Sequence, residues 1–439
     1  MAGEQARLSN VVNRITMRFP HFFRGAASVV LLSVVVGLSM AQTVDNKPEV
    51  KKAVLDKVSS YLTKFAFVPG IDFNKWPDFL KENQEKIDAA NTDDDFQRAV
   101  NTALSEFGAS HIVMTTPRQS EQRRTGATVG IGISSQVTPD GLLIVRTVKG
   151  APADLAGIVS GDTVIEVDGE KVDGIKGIPG AEGSTVKIKV KRGDGTTKEF
   201  TLVRKKFSTV RPEELEWLNP DTAKLDIYTF DLSYDAENVE KLMKEAAKAK
   251  TLIVDLRDNG GGAVSNLQHM LGLLMNPEQP IGTFISRRTV DEYVDATKGD
   301  PKNLQAVANW AATMGKVRPA RSKTMAPYHG NLIVFTNGLS GSASEIAAAA
   351  LQENANAKII GTKSAGAVLV SVIQPAADNF MLQFPIQDYI TIRGKRLEGN
   401  GVVPDIEAKD PLVRLATSKD ACVEAALNLV TQIKTTNGG

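Results

Sequence analysis

Between residues 225 and 360 the chain alternates apolar runs of strand length with helix-patterned stretches, which limits the folds open to it. Runs at 225–230 and 251–256 flank a helical pattern at 236–249. A second helical pattern near 266–275 precedes the run 332–335, a third begins at Ser344, and 358–360 reads as a further strand. Strands separated by helices return in parallel, so this region predicts an α/β sheet with substantial parallel pairing. At 439 residues the chain is too long for one ordinary core, so this sheet is one of roughly two to four domains.

Two turns at the ends of those strands carry candidate chemistry. The run 332–335 leads into Gly338-Leu339-Ser340-Gly341-Ser342-Ala343-Ser344-Glu345-Ile346, which reads as strand, tight turn and helix. A serine there stands at a helix N-terminus, where free N–H groups favour negative charge and suit a nucleophile whose reaction develops an oxyanion. Ser340, Ser342 and Ser344 also suit a second reading, as cap residues of a buried helix. The run 252–256 ends in Arg257-Asp258-Asn259-Gly260-Gly261-Gly262, whose successive amides form an anion-binding turn. No Gly-Lys-Ser/Thr follows, which argues against a phosphate loop.

The preceding chain divides by texture. Arg14, Arg18 and Arg24 come before an apolar run at 26–38 that ends in Ser39-Met40-Ala41, the parts of a secretory signal. The run is shorter than the ~20 residues of a bilayer span. Export to a bacterial periplasm or cell envelope is therefore expected, and a membrane association only if this 1–41 segment stays uncleaved as an anchor. Residues 42–117 read as a small helical bundle, with patterns at Pro48–Lys64, 76–87 and 94–107. Gly108 ends the last of these and places Ser110 and His111 on the chain that leaves it. Residues 118–125 are polar and read as a linker. From 126 to 206, short β-type runs alternate with glycine turns, and 286–328 read as a mobile polar insertion. The α/β core is placed at 210–415, with a C-terminal helix and tail at 416–439.

Composition narrows the function. Lys+Arg number 52 and Asp+Glu 51, a net charge of +1 that gives no ground for a nucleic-acid partner. The single Cys422 and four histidines leave no basis for a disulfide framework, a multi-cysteine metal site or a His-rich centre. No metal and no cofactor are expected, and no oligomeric state is indicated.

Within 126–206, Gly130-Ile131-Gly132-Ile133, Ala151–Gly157, Gly161-Asp162 and Asp168-Gly169 resemble a PDZ domain of the bacterial protease type. The resemblance implies that Gly130, Ile131, Gly132 and Ile133 form a carboxylate-binding loop and that a peptide C-terminus adds there as a strand. Asp255-Leu256-Arg257-Asp258-Asn259-Gly260-Gly261-Gly262, Ser342-Ala343-Ser344-Glu345-Ile346 and Gly401-Val402-Val403-Pro404-Asp405 together resemble the carboxyl-terminal processing (tail-specific, S41) protease family. That implies a multidomain α+β protein: an N-terminal helical bundle, a PDZ-type β domain and an α/β (ClpP/crotonase-like) serine-protease core. It also implies Ser342 as nucleophile and the amides of Ala343 with Gly260 or Gly261 as the oxyanion hole.

One family position fails. The general-base lysine of the processing branch falls on Ala367, in Gly361-Thr362-Lys363-Ser364-Ala365-Gly366-Ala367-Val368, and alanine cannot accept a proton. A second branch, similar to the tricorn protease core, uses a histidine directly after a serine and a glutamate three residues before the Gly-Val-x-Pro-Asp motif. Ser110-His111 and Glu398 match it. The resemblance then implies His111 as base, with Ser110 and Glu398 orienting the ring or stabilising its charged form. Two functions stay open: a serine endopeptidase acting on proteins or peptides with free C-termini, or an inactive protease fold that holds such tails as a scaffold. A rebuilt loop that brings in Lys363 as base is a third route.

Overall fold

The computed structural model describes residues 47–175, 177–314, 317–409 and 419–437; the segment read as a signal, 1–41, lies outside them. No described helix is long and apolar enough to cross a membrane. The first helix is Pro48–Lys64, with Val54, Val58 and Leu62 buried along one face and a proline in its first turn. Short helices Trp76–Glu82 and Gln84–Ala89 follow, then Asp93–Ser105, whose N-cap Thr92 accepts from the Asp95 amide beneath three aspartates. Trp76, Phe96 and Leu104 do not close a core alone. Phe380, Leu382 and Phe384 complete it from the antiparallel pair Leu369–Ala377 and Phe380–Thr391. Gly108, at φ +64°, ends the helical part, and Val113–Thr115 then joins Phe380–Thr391 as an antiparallel partner.

Residues 118–125 are not a linker but most of a helix, Pro117–Thr125. Thr116 and Gln119 form a reciprocal capping box, Pro117 opens the first turn, and Gly126 closes the helix in the left-handed region. None of its residues is buried, so it has no apolar period to read. Residues 286–328 also differ from expectation. They contain helices Arg287–Thr297 and Leu304–Ala312, whose Tyr293, Val307, Ala308 and Ala311 pack with Ile285 and Ile390. The charged faces of these helices hid a small apolar seam.

The β domain is a sheet in the order Ile133–Thr138, Gly141–Thr147, Thr163–Val167, Thr185–Lys191, Thr197–Val203. Ala127–Gly130 pairs separately with Lys205–Ser208. Ile131, Ile144, Val164, Ile188 and Val190 fill the centre. Arg204 is buried beneath the 177–185 segment and donates to the carbonyls of Gly177, Ile178 and Thr185 and to Ser184 Oγ. A buried guanidinium so satisfied holds a loop that has little apolar side chain of its own.

The expected α/β core is present. Its sheet runs Glu214–Asn219, Thr222–Asp226, Thr251–Asp255, Asn331–Thr336, Lys358–Gly361, Ile406–Glu407, antiparallel at the first pair and parallel thereafter. Helices Ala236–Ala246, Val264–Leu274 and Ala343–Asn354 cover one face, over Val254, Val334 and Ile359. The C-terminal helix Ala421–Asn437 covers the other, where Cys422, Ala426 and Val430 meet Ile253, Ile333 and Phe335. Both faces being covered explains why Thr251–Asp255 is buried at every position.

Candidate active site

Two central parallel strands deliver the two turns singled out in the sequence, side by side at their C-terminal ends, where open α/β sheets build their sites. The glycine turn and the serine turn are bonded together: Gly341 N–H donates to Asn259 O at 3.0 Å, and Ser340 Oγ donates to Leu256 O at 2.8 Å. A Cβ on Gly261, whose φ is +98°, would lie 2.6 Å from Ser342 Cβ and 2.9 Å from Ala343 N. Only glycine allows this approach.

The three serines separate here. Ser340 is buried and ties the two turns; Ser344 is buried in the helix. Ser342 stands at φ 53°, ψ −119°, a region costing a non-glycine residue about 1–3 kcal/mol. Glu345 holds it there. That side chain is 0 % exposed, and its carboxylate accepts from Ser342 N–H (3.1 Å), Ala367 N–H (2.9 Å), Gly366 N–H (2.7 Å) and Ser364 Oγ (2.6 Å). Ser342 N–H also reaches Ala367 O at 2.8 Å. Ser364 Oγ in turn accepts from Val402 N–H at 2.6 Å, so the Gly401–Asp405 motif braces the same turn. In the sequence Glu345 stands only within the turn-to-helix run and the Ser342–Ile346 motif, with no role of its own. Its Ser-x-x-Glu spacing, that of a capping box, was the available signal.

Ser342 Oγ has a partner from outside its own helix. It lies 3.1 Å from His111 Nε2. His111 Nδ1 lies 2.7 Å from Ser110 Oγ, which donates to Glu398 Oε2 at 2.8 Å, while Ser110 N–H donates to Glu398 Oε1 at 2.8 Å. Val368 N–H fixes the same carboxylate from the other side at 2.7 Å. Glu398, Ser110, His111 and Ser342 are thus one continuous hydrogen-bonded chain of side chains, assembled from three segments distant in sequence. His111 sits at φ 60°, so its backbone is held in an unusual turn as well. Burial lowers the imidazole pKa below its ordinary value, and the Glu398 charge opposes that in part. A histidine so placed is neutral at pH 7 and can accept a proton.

The expected oxyanion donors divide. Gly261 N–H is taken by Asn259 Oδ1 at 2.9 Å. The amides of Gly260 and Ala343 donate to no acceptor among the described residues, and Ala343 opens a twelve-residue helix. Lys363 is exposed and bonded to none of the described residues. Ala367 presents its backbone, not a base, to Ser342. In the β domain, Ile131 and Gly132 carbonyls accept from Ala153 and Val148, while their own amides find no acceptor among the described residues. Gly132, at φ +78°, has Ala151 Cβ where a side chain would stand, at 2.2 Å. Ile133 opens the strand Ile133–Thr138, which has one partner strand and one open edge.

Comparison with known proteins places this architecture. Residues 221–408 match Peptidase family S41, and residues 114–177 match the PDZ domain. The chain carries an S41 peptidase domain with a PDZ domain ahead of it. A probable CtpA-like serine protease of Staphylococcus haemolyticus is 25% identical over 343 residues, covering 76% of this chain and 62% of that protein. Carboxyl-terminal-processing peptidase 3, chloroplastic, of Arabidopsis thaliana is 25% identical over 376 residues, covering 80% and 67%. The chain spans under two thirds of the first relative's length and 67% of the second's. Among solved structures, a putative S41 protease from Bacteroides fragilis shares the fold at TM-score 0.52, with 15% identity over 86% of this chain and 97% of that one. Mature CPAF complexed with lactacystin does so at 0.52, with 15% identity over 88% and 98%. Ser342, Gly260 and Glu398 fall within the S41 match; Ser110 and His111 precede it.

Proposed function

We propose that this protein is a serine endopeptidase that cleaves protein or peptide substrates by acyl-enzyme chemistry. The observation that carries the reading is the unbroken chain from Glu398 through Ser110 and His111 to Ser342. His111 Nε2 takes the Ser342 Oγ proton as Oγ attacks the scissile carbonyl carbon. The oxyanion that forms faces the free amides of Ala343 and Gly260, at the positive end of a helix. The tetrahedral intermediate collapses, the C–N bond breaks, and His111 returns the proton to the leaving amine. Water, deprotonated by the same nitrogen, attacks the acyl carbon and frees the new C-terminus and Ser342. Throughout, His111 Nδ1–H donates to Ser110 Oγ, whose own proton lies toward Glu398. The carboxylate thus stabilises the imidazolium through one intervening hydroxyl.

The PDZ domain in this reading holds the substrate C-terminus on the unpaired amides of Ile131 and Gly132 and extends it along the open edge of Ile133–Thr138. The basic-then-apolar 14–38 segment supports export, with the protein acting in a bacterial periplasm or envelope. A fluorophosphonate probe and a peptide with a free C-terminus test the assignment. Ser342 labels in the parent protein, while Ser342→Ala and His111→Ala each lower turnover by about 10⁴-fold or more with the fold intact. Absence of labelling at Ser342 would instead favour the tail-binding scaffold. Full activity in His111→Ala would remove the base.

A further inference from the structure

The turns that carry Gly260 and Ser342 are joined by three rungs, and one is made by side chains that no step of the reaction uses. Two rungs are those described above, Ser340 Oγ to Leu256 O and Gly341 N–H to Asn259 O. The third is made by Asn337 and Asp258. Asn337 Nδ2 donates to Asp258 Oδ1 at 2.7 Å, and Asp258 N–H donates to Asn337 Oδ1 at 3.1 Å. Asn337 Oδ1 also accepts from Leu339 N–H at 3.0 Å, inside its own turn. Its main-chain N–H donates to Ser340 Oγ at 2.9 Å, and its carbonyl accepts from Ser340 N–H at 2.9 Å. Both ends of the side chain and both main-chain groups of Asn337 are thus bonded within the two turns.

The pair accounts for a strained backbone. Asp258 sits at φ +63°, in the left-handed region that favours glycine. Glycine at 258 would relieve the strain, as it does at Gly261 in the same turn, but would forfeit the bond from Asn337 Nδ2. The donors and acceptors also fix which way the Asn337 amide points. Turned over, its NH₂ would face two N–H groups and its oxygen would face a carboxylate. Asp258 lies two residues before Gly260, whose amide is free, and Asn337 opens the turn that ends in Ser342.

We propose that Asn337, acting through Asp258, is a positioning residue that sets the distance between the Gly260 amide and Ser342 Oγ. The inference rests on the peptidase reading and deepens it, adding a residue that touches neither substrate nor reacting atoms. The pair aligns a donor with the oxyanion of the transition state, not with the bound substrate. Its loss therefore acts on kcat and leaves KM in place.

The test is an exchange of side chains between the two positions. Asn337→Ala removes the rung and lowers kcat about 30-fold, short of the roughly 10²- to 10³-fold lost with an oxyanion donor itself. Asn337→Asp keeps an acceptor for the Asp258 and Leu339 amides but sets two carboxylates against each other, and lowers kcat about tenfold. The double variant Asn337→Asp with Asp258→Asn restores one amide, one carboxylate and a single negative charge, and recovers kcat to within about threefold of the parent. KM stays within about twofold throughout. Amide hydrogen exchange supplies an arm independent of catalysis. Asp258 loses its acceptor outright in Asn337→Ala, so the telling amide is Gly341, whose bond to Asn259 O the substitution leaves untouched. It exchanges about tenfold faster in Asn337→Ala and at about the parent rate in the double variant. That pattern supports the clamp even in a protein that cleaves nothing, which would count against the peptidase reading alone. Unchanged Gly341 exchange or parent-like kcat in Asn337→Ala, a loss carried by KM, or a double variant no better than Asn337→Asp overturns the proposal.

Discussion

The proposed nucleophile and its proposed base reach the site by opposite routes. Ser342 belongs to the turn between the strand Asn331–Thr336 and the helix Ala343–Asn354, which is held by loops at the same end of one sheet. Its strained backbone is fixed by Glu345, three residues away, and by the 364–367 loop. His111 comes from a segment 231 residues earlier. The helical part places it, and that part completes its core only with Phe380, Leu382 and Phe384 of the catalytic half. One partner is rigid by local bonding and the other is delivered by packing between distant segments. Glu398 is common to both, since it binds Ser110 on one side and the Val368 amide on the other. The proposed catalytic geometry is therefore as good as the docking of the helical part, and loosening it would separate Ser342 from His111.

The local half of this comparison breaks most severely at Glu345. All four groups on its carboxylate are donors. A glutamine would point an NH₂ at part of them and leave buried N–H groups unpaired, at about 1–3 kcal/mol each. Glu345→Gln is expected to lower kcat about 100-fold, the scale of a displacement of order 1 Å, with little change in KM. Fluorophosphonate labelling of Ser342 would slow in parallel. Labelling at the parent rate would show that Ser342 holds its strained turn without this carboxylate.

The delivered half is weakened through Glu398. A carboxylate bonded directly to a catalytic histidine is worth about 10⁴ in turnover. With Ser110 interposed the expected loss in Glu398→Gln is smaller, about 10- to 100-fold by the same logic. The pH profile is more telling. The proposed mechanism needs neutral His111, so the rate should rise with pH through its pKa, and burial places that acid limb below the ordinary histidine value. Glu398 opposes the burial effect. Its removal therefore shifts the limb of kcat/KM to lower pH while the plateau falls. A limb that stays in place or moves up would mean that Glu398 does not act on His111.

The same division explains what was legible in the sequence. An apolar strand run, small residues and a helix former announce a strand–turn–helix from adjacent residues, and the structure has it. Parallel pairing likewise followed from the spacing of buried runs such as Thr251–Asp255. His111 could be pointed to only through a family resemblance, because a lone histidine after a helix carries no local signal of a serine far away. Two stretches misled. Pro117–Thr125 buries nothing, so its capping box was its one trace, and in 286–328 the apolar residues form a seam too sparse to stand out among charges. Glu345 was visible, yet a glutamate at the third helical position reads as an ordinary cap until its other three donors are seen.

The smallest expected effect concerns Lys363. It is the one lysine near the position where the processing branch carries its base, and a rebuilt loop was the route by which it could serve. That loop is committed elsewhere: Gly366 and Ala367 amides and Ser364 Oγ all bind Glu345, and Gly366 O accepts from Gly399 N–H at 2.7 Å. Turning Lys363 inward would break several of these bonds and expose the buried Glu345 carboxylate, each unmade bond costing about 1 kcal/mol or more. Lys363→Ala should accordingly leave kcat/KM within about twofold, as a surface substitution does. A large loss there, with activity surviving in His111→Ala, would reverse the comparison and make the local turn supply the base as well as the nucleophile.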